Sequence, residues 1–328
     1  MKMNVATSLN EAYVPYTYVM LYSLFKNNED HEITVHLLTD GLSEESKKHL
    51  GALCARYKNH LIYLTVSREV FDKRLYETGN HPVESCFRLA LNDLLPQEVD
   101  RLLYLDGDIV VNKDVAPLYT MNFRGGDVIA CHDMDMTRDS VISYGDLHSD
   151  RLNALIENNK YFNSGVMLMN SAKLRSTWGL RDYLAIAMEV DFKLELPDQD
   201  LLNLAHGENT VFVDEWNWNL FGRNAHIRGY DKDSLRRRVS IVHFAGDKPW
   251  NGGNHYHYRC EGLWWDYALQ TGYSDSFLER FIGMTLQRTR FREKARDMAR
   301  KNIALRENIT TVMRNINSFS EIRRPEDE

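Results

Sequence analysis

The first 130 residues of the chain alternate short β-forming runs with longer segments of helical periodicity. Residues 3–8, 33–40 and 61–66 favour strands, whereas apolar residues recur every three or four positions across residues 15–27. Such alternation is typical of βαβ units, which build a mostly parallel sheet covered by helices. It predicts an α/β fold whose ligands bind beyond the carboxyl ends of the strands.

Later β-forming runs continue this series, and each one stops at a polar residue. They span residues 101–105, 127–132, 165–170 and 240–246. A polar, weakly periodic stretch at 134–159 is predicted to be an insertion or a lid, and residues 171–188 favour helix. The pattern supports one domain over residues 1–273 and a helical extension over residues 274–328.

Net charge, cysteine spacing and the distribution of apolar residues limit the classes of protein to which the chain can belong. The formal net charge of −7 argues against a general nucleic-acid binder, because such proteins need a clustered basic surface. Cys54, Cys86, Cys131 and Cys260 show no Cys-x-x-Cys spacing, so we expect buried free thiols in a reducing compartment. The sequence has no run of about 18 apolar residues, and its start lacks an apolar signal region. These features predict a cytoplasmic protein.

Two carboxylates stand at the end of the best candidate for a buried strand, in RLLYLDGDIVV. Asp106 and Asp108 are two residues apart, so their side chains can point the same way from an extended chain. Carboxylates this close repel one another unless a cation lies between them, and oxygen ligands suit Mg²⁺ or Mn²⁺. Competing Asp-x-Asp pairs include one at 133–135 after a strand and one at 231–233 in a polar turn. The apolar flanks favour the first pair as a metal site.

Three later segments place polar residues next to predicted strands or helices. YFNSGVMLMN has an amide and a hydroxyl before a glycine, which permits close approach of the backbone. LPDQDLLN places Asp198, Gln199 and Asp200 directly after a proline, in the first turn of a predicted helix. HFAGDKPWN places His243 at a strand end and Lys248 beyond a glycine turn.

Together these segments resemble the family 8 retaining glycosyltransferases, which include glycogenin and the bacterial lipooligosaccharide galactosyl- and glucosyltransferases. LYLDGDIVV, FNSGVMLMN, LPDQDLLN and HFAGDKPW occur in the family's order and approximate spacing, and the likeness runs from about residue 3 to residue 265. The resemblance implies a GT-A type fold, with a Rossmann-like, mostly parallel central sheet and flanking helices. The C-terminal extension lies beyond it.

The resemblance also implies a metal site and a diphosphate site. Mn²⁺, with Mg²⁺ as the alternative, would be held by Asp106, Asp108 and His243, a ligand set that leaves positions for two phosphates. Lys248, on a loop shaped by Gly246, would neutralise the diphosphate as it leaves.

By the same matching, Arg88 would lie near the nucleotide sugar and Asp133 near the transferred sugar, and Asn163 and Asp198 would bind sugar hydroxyl groups. Gln199 would lie beside the anomeric carbon. A neutral amide is a poor nucleophile, so we expect same-face attack instead of double displacement, with Gln199 stabilising positive charge and the donor phosphate accepting the acceptor's proton. An arginine on an apolar stretch needs an anionic partner in any case. Asp198 equally suits the start of a helix.

Matching on Tyr13 places Ala6, Thr7 and Asn10 around the uracil of a UDP-sugar. Ala12 stands where the family usually has Asn, so one base or ribose contact is expected to be missing. Asn10 replaces a frequent Asp and still offers both a donor and an acceptor to a uracil edge.

The expected reaction transfers galactose or glucose from its UDP-sugar to a saccharide or glycolipid acceptor in cell-envelope glycan synthesis. Two alternatives stay open: a haloacid-dehalogenase-type phosphohydrolase with Asp106 as nucleophile, and a sugar-nucleotide-binding scaffold without turnover, which Ala12 supports. Residues 284–324 carry eleven Lys or Arg against four Asp or Glu. This basic, amphipathic segment predicts a helix that contacts anionic lipid at the inner face of the cell membrane, the catalytic domain or a second subunit.

Overall fold

The computed structural model describes residues 1–76, 82–137, 139–140, 149–251 and 259–288. The chain divides into two compact units, Met1–Ser274 and Asp275–Glu328. The described part of the second unit belongs to the helix Ser274–Arg288, so the amphipathic positions predicted beyond residue 288 lie outside the described residues. Part of the predicted lid, at 138 and 141–148, also lies outside them. Within the described ranges, no helix combines the length and apolar character needed to cross a bilayer.

The described strands form two sheets. The strands are β1 (Lys2–Ser8), β2 (Glu32–Thr39), β3 (His60–Thr65), β4 (Leu102–Leu105), β5 (Ile109–Val111), β6 (Val128–His132), β7 (Phe162–Met169), β8 (Thr210–Val213), β9 (Leu220–Phe221) and β10 (Ile241–His243). Seven of them make one sheet in the order β3-β2-β1-β4-β7-β6-β8, and β5, β10 and β9 make a smaller one. The large sheet is mostly parallel, as the alternation of strands and helices predicts.

β7 runs antiparallel to both of its neighbours, β4 and β6. It begins at Phe162, three residues before the predicted run, and all of its residues are buried. Because its direction is reversed, its first residues lie at the edge where β4 ends, and the backbone N–H of Asp106 donates to the carbonyl of Gly165 over 2.9 Å. The polar start of β7 therefore meets the carboxylates that follow β4.

The small sheet brings a distant segment to the same edge. β10 pairs antiparallel with β5, with His243 opposite Ile109, and parallel with β9, with His243 opposite Phe221. β5 directly follows Asp108. The pairing therefore sets His243 beside the paired carboxylates although it lies far along the chain.

Helices flank the sheets and begin at residues that suit helix starts. Ser43 accepts a hydrogen bond from the backbone N–H of Ser46 and caps its helix. The α-helices are Val14–Lys26, Glu44–Arg56, Leu91–Leu94, Ala116–Tyr119, Asp150–Glu157, Ser171–Leu174, Leu180–Glu189, Pro197–His206, Glu215–Trp218, Gly222–Ile227, Lys232–Arg238, Gly262–Ala268 and Ser274–Arg288. Shorter 3₁₀ stretches are Glu11–Tyr13, Arg68–Val70, Lys73–Leu75, Val83–Ala90, Gly207–Asn209 and Arg259–Glu261.

Two local features differ from the sequence prediction, and a third was not predicted. The 231–233 pair is not a simple turn, because Asp231 accepts from the N–H of Ser234 and caps the helix Lys232–Arg238. The run at 240–246 is a strand only over Ile241–His243. After β8 the chain turns into the short helix Glu215–Trp218, since Asp214 accepts from the N–H of Trp216 and starts a helical turn despite the tryptophans.

The four cysteines are free and buried, as predicted. Burial raises the pKa of Cys54 and of Cys260 to about 12, and it also raises the pKa of Cys86 and of Cys131. Since the thiolate is the reactive form, we expect no labelling by a disulfide reagent such as DTNB at pH 8 in the folded protein. Denaturation should expose all four thiols to the reagent. Rapid labelling of a folded sample would contradict the burial.

Candidate active site

Three potential metal ligands meet at the ends of β4 and β10. Asp106 directly follows β4, Asp108 directly precedes β5, and His243 ends β10. Nε2 of His243 lies 3.2 Å from Oδ1 of Asp108 and 3.9 Å from Oδ2 of Asp106. Among the described residues, these three side chains form a group whose ligand atoms all lie within 4.8 Å of one another. Two carboxylates and one imidazole are a donor set that Mn²⁺ or Mg²⁺ accepts, so the residues fit the predicted metal.

Two glycines allow these side chains to come together. A Cβ atom at Gly165 would lie 2.4 Å from Cε1 of His243 and 2.7 Å from Oδ2 of Asp106. A Cβ atom at Gly107, between the two aspartates, would lie 2.5 Å from Oγ1 of Thr17. A Cβ atom essentially never lies this close to another non-bonded atom in a packed protein. Close packing therefore requires glycine both at the middle residue of Asp-Gly-Asp and at Gly165, the fourth residue of β7.

Lys248 supplies positive charge to the carboxylates. Its Nζ donates to Oδ2 of Asp108 and, over 3.0 Å, to the carbonyl of Phe244. Burial acts to raise the pKa of Asp108, but the charge of Lys248 and the interaction with His243 outweigh it and hold this pKa well below its usual range. Asp108 is therefore ionised at neutral pH and available as an anionic ligand.

The loop that carries Lys248 has a defined shape. Gly246 has a φ of 73°, in the left-handed region that favours glycine. Beyond the lysine, Trp250 is buried and stacks on Tyr16, with ring centroids 4.1 Å apart and an interplanar angle of 9°. The turn and the anchored tryptophan hold Lys248 over the metal site.

Arg88 lies buried behind the carboxylates, in the 3₁₀ stretch Val83–Ala90. Its Nη2 donates to Oδ1 of Asp106 over 2.7 Å, and its Nε lies 3.1 Å from Oδ2 of Asp198. Its Nη1 also donates to the carbonyl and the hydroxyl of Ser164, over 2.9 and 3.0 Å. The prediction that this arginine has an anionic partner is confirmed. One guanidinium orients a metal ligand and the start of the helix Pro197–His206.

A network of side-chain amides lies next to the metal ligands. Oε1 of Gln199 accepts from the backbone N–H of Ser164 over 2.9 Å and from Nδ2 of Asn163 over 3.0 Å. Nε2 of Gln199 donates to Oδ2 of Asp133 over 2.9 Å, and Nδ2 of Asn163 donates to the same oxygen over 3.0 Å. The structure thus brings together three residues that the sequence places in three separate segments.

The aspartates of the Asp198-Gln199-Asp200 segment have different roles. Asp198 pairs with Arg88 and faces the site. Asp200 has no exposed surface, and its Oδ2 accepts from the backbone N–H groups of Glu195 and Leu196. Its Oδ1 accepts from the hydroxyl of Tyr161. Asp200 therefore stabilises the helix start, whereas Asp198 belongs to the charged site.

The four residues predicted around uracil divide into two pairs. Asn10 and Tyr13 lie just beyond β1, where Oδ1 of Asn10 accepts from the N–H of Tyr13 over 3.1 Å. A Cβ atom at Gly107 would lie 3.1 Å from Cδ1 of Tyr13, so the ring of Tyr13 lies against the Asp-Gly-Asp segment. Burial and the nearby carboxylates Asp108 and Asp106 raise the pKa of Tyr13. Ala6 and Thr7, by contrast, lie inside β1 with no exposed surface.

Sequence reasoning missed two residues of the amide network. Asn219 is fully buried between the helix Glu215–Trp218 and β9. The hydroxyl of Tyr161 accepts from Nε2 of Gln199 over 3.1 Å. Tyr161 directly precedes the FNSG segment, and this position in the sequence is the signal that could have identified it as part of the network. For Asn219, the only signal was an asparagine among tryptophans.

Comparison of the sequence with protein-family models identifies the family of the chain. The model of glycosyl transferase family 8 matches residues 4–253, which contain every predicted site residue. The chain belongs to glycosyl transferase family 8.

Individual relatives and solved structures agree with this membership. Lipopolysaccharide glucosyltransferase WaaO from Escherichia coli K12 is 26% identical over 270 residues, which cover 80% of this chain and 72% of that protein. Lipopolysaccharide 1,3-galactosyltransferase from Salmonella typhimurium LT2 is 24% identical over 269 residues, with 78% and 75% covered. The structure of galactosyltransferase LgtC in complex with donor and acceptor sugar analogues is similar with a TM-score of 0.66 at 20% identity, covering 82% of this chain and 96% of LgtC. The fold is thus of the GT-A type, as predicted.

This family 8 site has separate regions for charge and for hydroxyl groups. Asp106, Asp108 and His243 can hold a divalent cation, and Lys248 adds a fixed positive charge. The amide network on Asn163 and Gln199 contributes uncharged donors and acceptors. Such an arrangement suits a ligand with an anionic part and a polyhydroxylated part. Family membership gives no support to the phosphohydrolase alternative.

Proposed function

We propose that the chain is a retaining, metal-dependent hexosyltransferase that moves glucose or galactose from a UDP-sugar to a saccharide or glycolipid acceptor. The observation that carries the proposal is the cluster of Asp106, Asp108, His243 and Lys248 beside the amide network. Membership of family 8 and the names of the related glucosyl- and galactosyltransferases support it. Residues 1–273 are proposed as the catalytic domain, and the free cysteines support a reducing location such as the cytoplasm.

The charged residues would stabilise the departing diphosphate. When bound, Mn²⁺ would act as a Lewis acid on the phosphate oxygens. Lys248 would lie against the same oxygens and neutralise the charge that develops as the sugar–oxygen bond breaks. Arg88 is too deeply buried to contact much substrate, so its proposed role is to orient Asp106 and Asp198.

The hydrogen bonding of the polar side chains supports same-face attack over double displacement. Oε1 of Gln199 already accepts from Ser164 and Asn163. Asp133 accepts the N–H groups of residues 135 and 136 on one oxygen and two amides on the other. Asp198 is paired with Arg88. None of these three oxygen-bearing groups offers an unengaged nucleophile.

In same-face attack the bond from the anomeric carbon to the phosphate oxygen breaks first. The acceptor hydroxyl then bonds to that carbon on the face the phosphate left, and its proton passes to the departing phosphate oxygen. The dipole of Gln199 would stabilise the positive charge on the sugar between these two events.

A screen of UDP-sugars tests the donor. UDP-glucose and UDP-galactose, each with Mn²⁺, are expected to raise the melting temperature of the protein more than UDP-N-acetylglucosamine or GDP-mannose, since ligand binding stabilises the folded state. The best donor should also give Mn²⁺-dependent UDP release that rises when a saccharide acceptor is added. NMR of the product should show retention of the anomeric configuration. Tight binding of UDP without turnover on any acceptor or on water would favour the scaffold.

The segment 284–324 is proposed to contact anionic lipid or a second subunit. The proposal rests on its excess of basic residues, eleven against four acidic ones. Its residues from 289 onward lie outside the described ones.

A further inference from the structure

Asn219 links the metal ligands to the amide network. Its Oδ1 lies 3.0 Å from Nδ1 of His243, and its Nδ2 donates to Oδ1 of Asn163 over 2.9 Å. Nδ1 is the ring nitrogen of His243 that faces away from the carboxylates, because Nε2 is the atom next to Asp108 and Asp106. Asn219 has no exposed surface, and these two hydrogen bonds connect it to the site.

The orientation of each amide in this network follows from backbone N–H groups, which can only donate. The backbone N–H of Ser164 points at Gln199, so the atom it meets must be the carbonyl oxygen Oε1. The atom of Asn163 that contacts this oxygen must then be its NH₂ group. The backbone N–H of Gly165 donates to the other end of Asn163, over 3.0 Å, and independently fixes that end as Oδ1.

The same matching of donors to acceptors determines which ring nitrogen of His243 carries the hydrogen. Because Oδ1 of Asn163 is an acceptor, the atom of Asn219 that meets it must be Nδ2. The other atom of the Asn219 amide is then the acceptor Oδ1, and it faces Nδ1 of His243. His243 must therefore carry a hydrogen on Nδ1, which in the neutral imidazole leaves the lone pair on Nε2.

We propose that Asn219 is a positioning residue that fixes the tautomer of His243 and presents the Nε2 lone pair to the metal. The inference rests on the metal site of the proposed function. Histidine ligands of metals generally donate their second N–H to an acceptor that sets the orientation of the ring, and here a buried asparagine provides this acceptor. The backbone of β7 holds Asn219 in turn, through Asn163. Metal binding and sugar binding thereby share one hydrogen-bonded chain.

Mn²⁺ affinity without any sugar nucleotide tests the proposal, with the electron paramagnetic resonance signal of free Mn²⁺ as the readout. Asn219→Ala removes both hydrogen bonds, and its Mn²⁺ affinity is expected to fall about 10- to 100-fold. Asn219→Asp keeps an oxygen for the Nδ1–H of His243, so its Mn²⁺ affinity should stay close to that of the wild type. It loses the donor to Asn163, so the melting shift given by the best UDP-hexose should fall.

Asn112→Ala is the matched control, because the buried side chain of Asn112 donates to the carbonyls of Leu235 and Val239 and contacts no metal ligand. It should lower stability while Mn²⁺ affinity stays unchanged. Wild-type Mn²⁺ affinity in Asn219→Ala would overturn the proposal. Equal loss of affinity in the Ala and Asp variants would overturn the tautomer assignment. A wild-type protein that binds no Mn²⁺ would instead overturn the proposed metal site, and this inference with it.

Discussion

Replacement of Asp108 with asparagine is expected to abolish Mn²⁺-dependent UDP release while the fold is kept. The side chain keeps its shape, but it loses the negative charge that faces His243 and Lys248. Loss of an anionic metal ligand removes several kcal/mol of transition-state stabilisation, and about 4 kcal/mol corresponds to a roughly 1,000-fold lower kcat/KM. Continuous measurement of UDP formation over a range of Mn²⁺ concentrations gives both the rate and the metal requirement.

A second Asp-x-Asp pair of the same chain provides the control. Asp233 is exposed in the first turn of the helix Lys232–Arg238, and Asp233→Asn removes a carboxylate of the same kind far from β4 in sequence. It should leave the rate of UDP release unchanged. Near-ultraviolet circular dichroism should show the same folded spectrum for both variants. An Asp108→Asn variant that releases UDP at the wild-type rate would show that Asp108 is not a metal ligand.

Much of this site follows from the sequence because its residues stand at strand ends. Asp106 directly follows β4 and His243 ends β10, and the carboxyl ends of strands gather at one edge in α/β folds. Pro197 likewise marks a helix start, which places Gln199 in the first turn. These signals are local, and each lies within a few residues of the chain.

The remaining features depend on pairings between distant segments. The reversed direction of β7 is visible in its antiparallel pairing with β4 and β6, and the β-forming pattern of its residues does not indicate it. Asn219 is defined by its two partners, His243 and Asn163, one on each side of it in sequence. The tryptophans that precede it gave no reason to expect a polar contact. The direction of β7 and the contacts of Asn219 therefore depend on pairing between distant segments, which the sequence pattern alone does not reveal.

Gly165→Ala is expected to disrupt the metal site by adding a single methyl group. Its Cβ atom would lie 2.4 Å from Cε1 of His243 and 2.7 Å from Oδ2 of Asp106, well inside normal contact distances. The imidazole is held by Asn219 and the carboxylate by Arg88, so neither moves without losing a hydrogen bond. We expect the free energy of unfolding to fall by about 1–3 kcal/mol through overpacking. Mn²⁺ affinity should fall about tenfold or more, because two ligands are displaced together.

Gly51→Ala separates this effect from the general consequence of replacing glycine. Gly51 lies in the helix Glu44–Arg56, and a Cβ atom there would meet nothing within 4 Å. Alanine should therefore stabilise this helix by about 1 kcal/mol, which urea denaturation can measure, and Mn²⁺ affinity should not change. If Gly165→Ala unfolds at the wild-type urea concentration and binds Mn²⁺ normally, the ligands are not packed against β7 as described. Loss of Mn²⁺ binding in a variant that stays folded would show that the backbone of β7 sets the separation of the carboxylate and the imidazole.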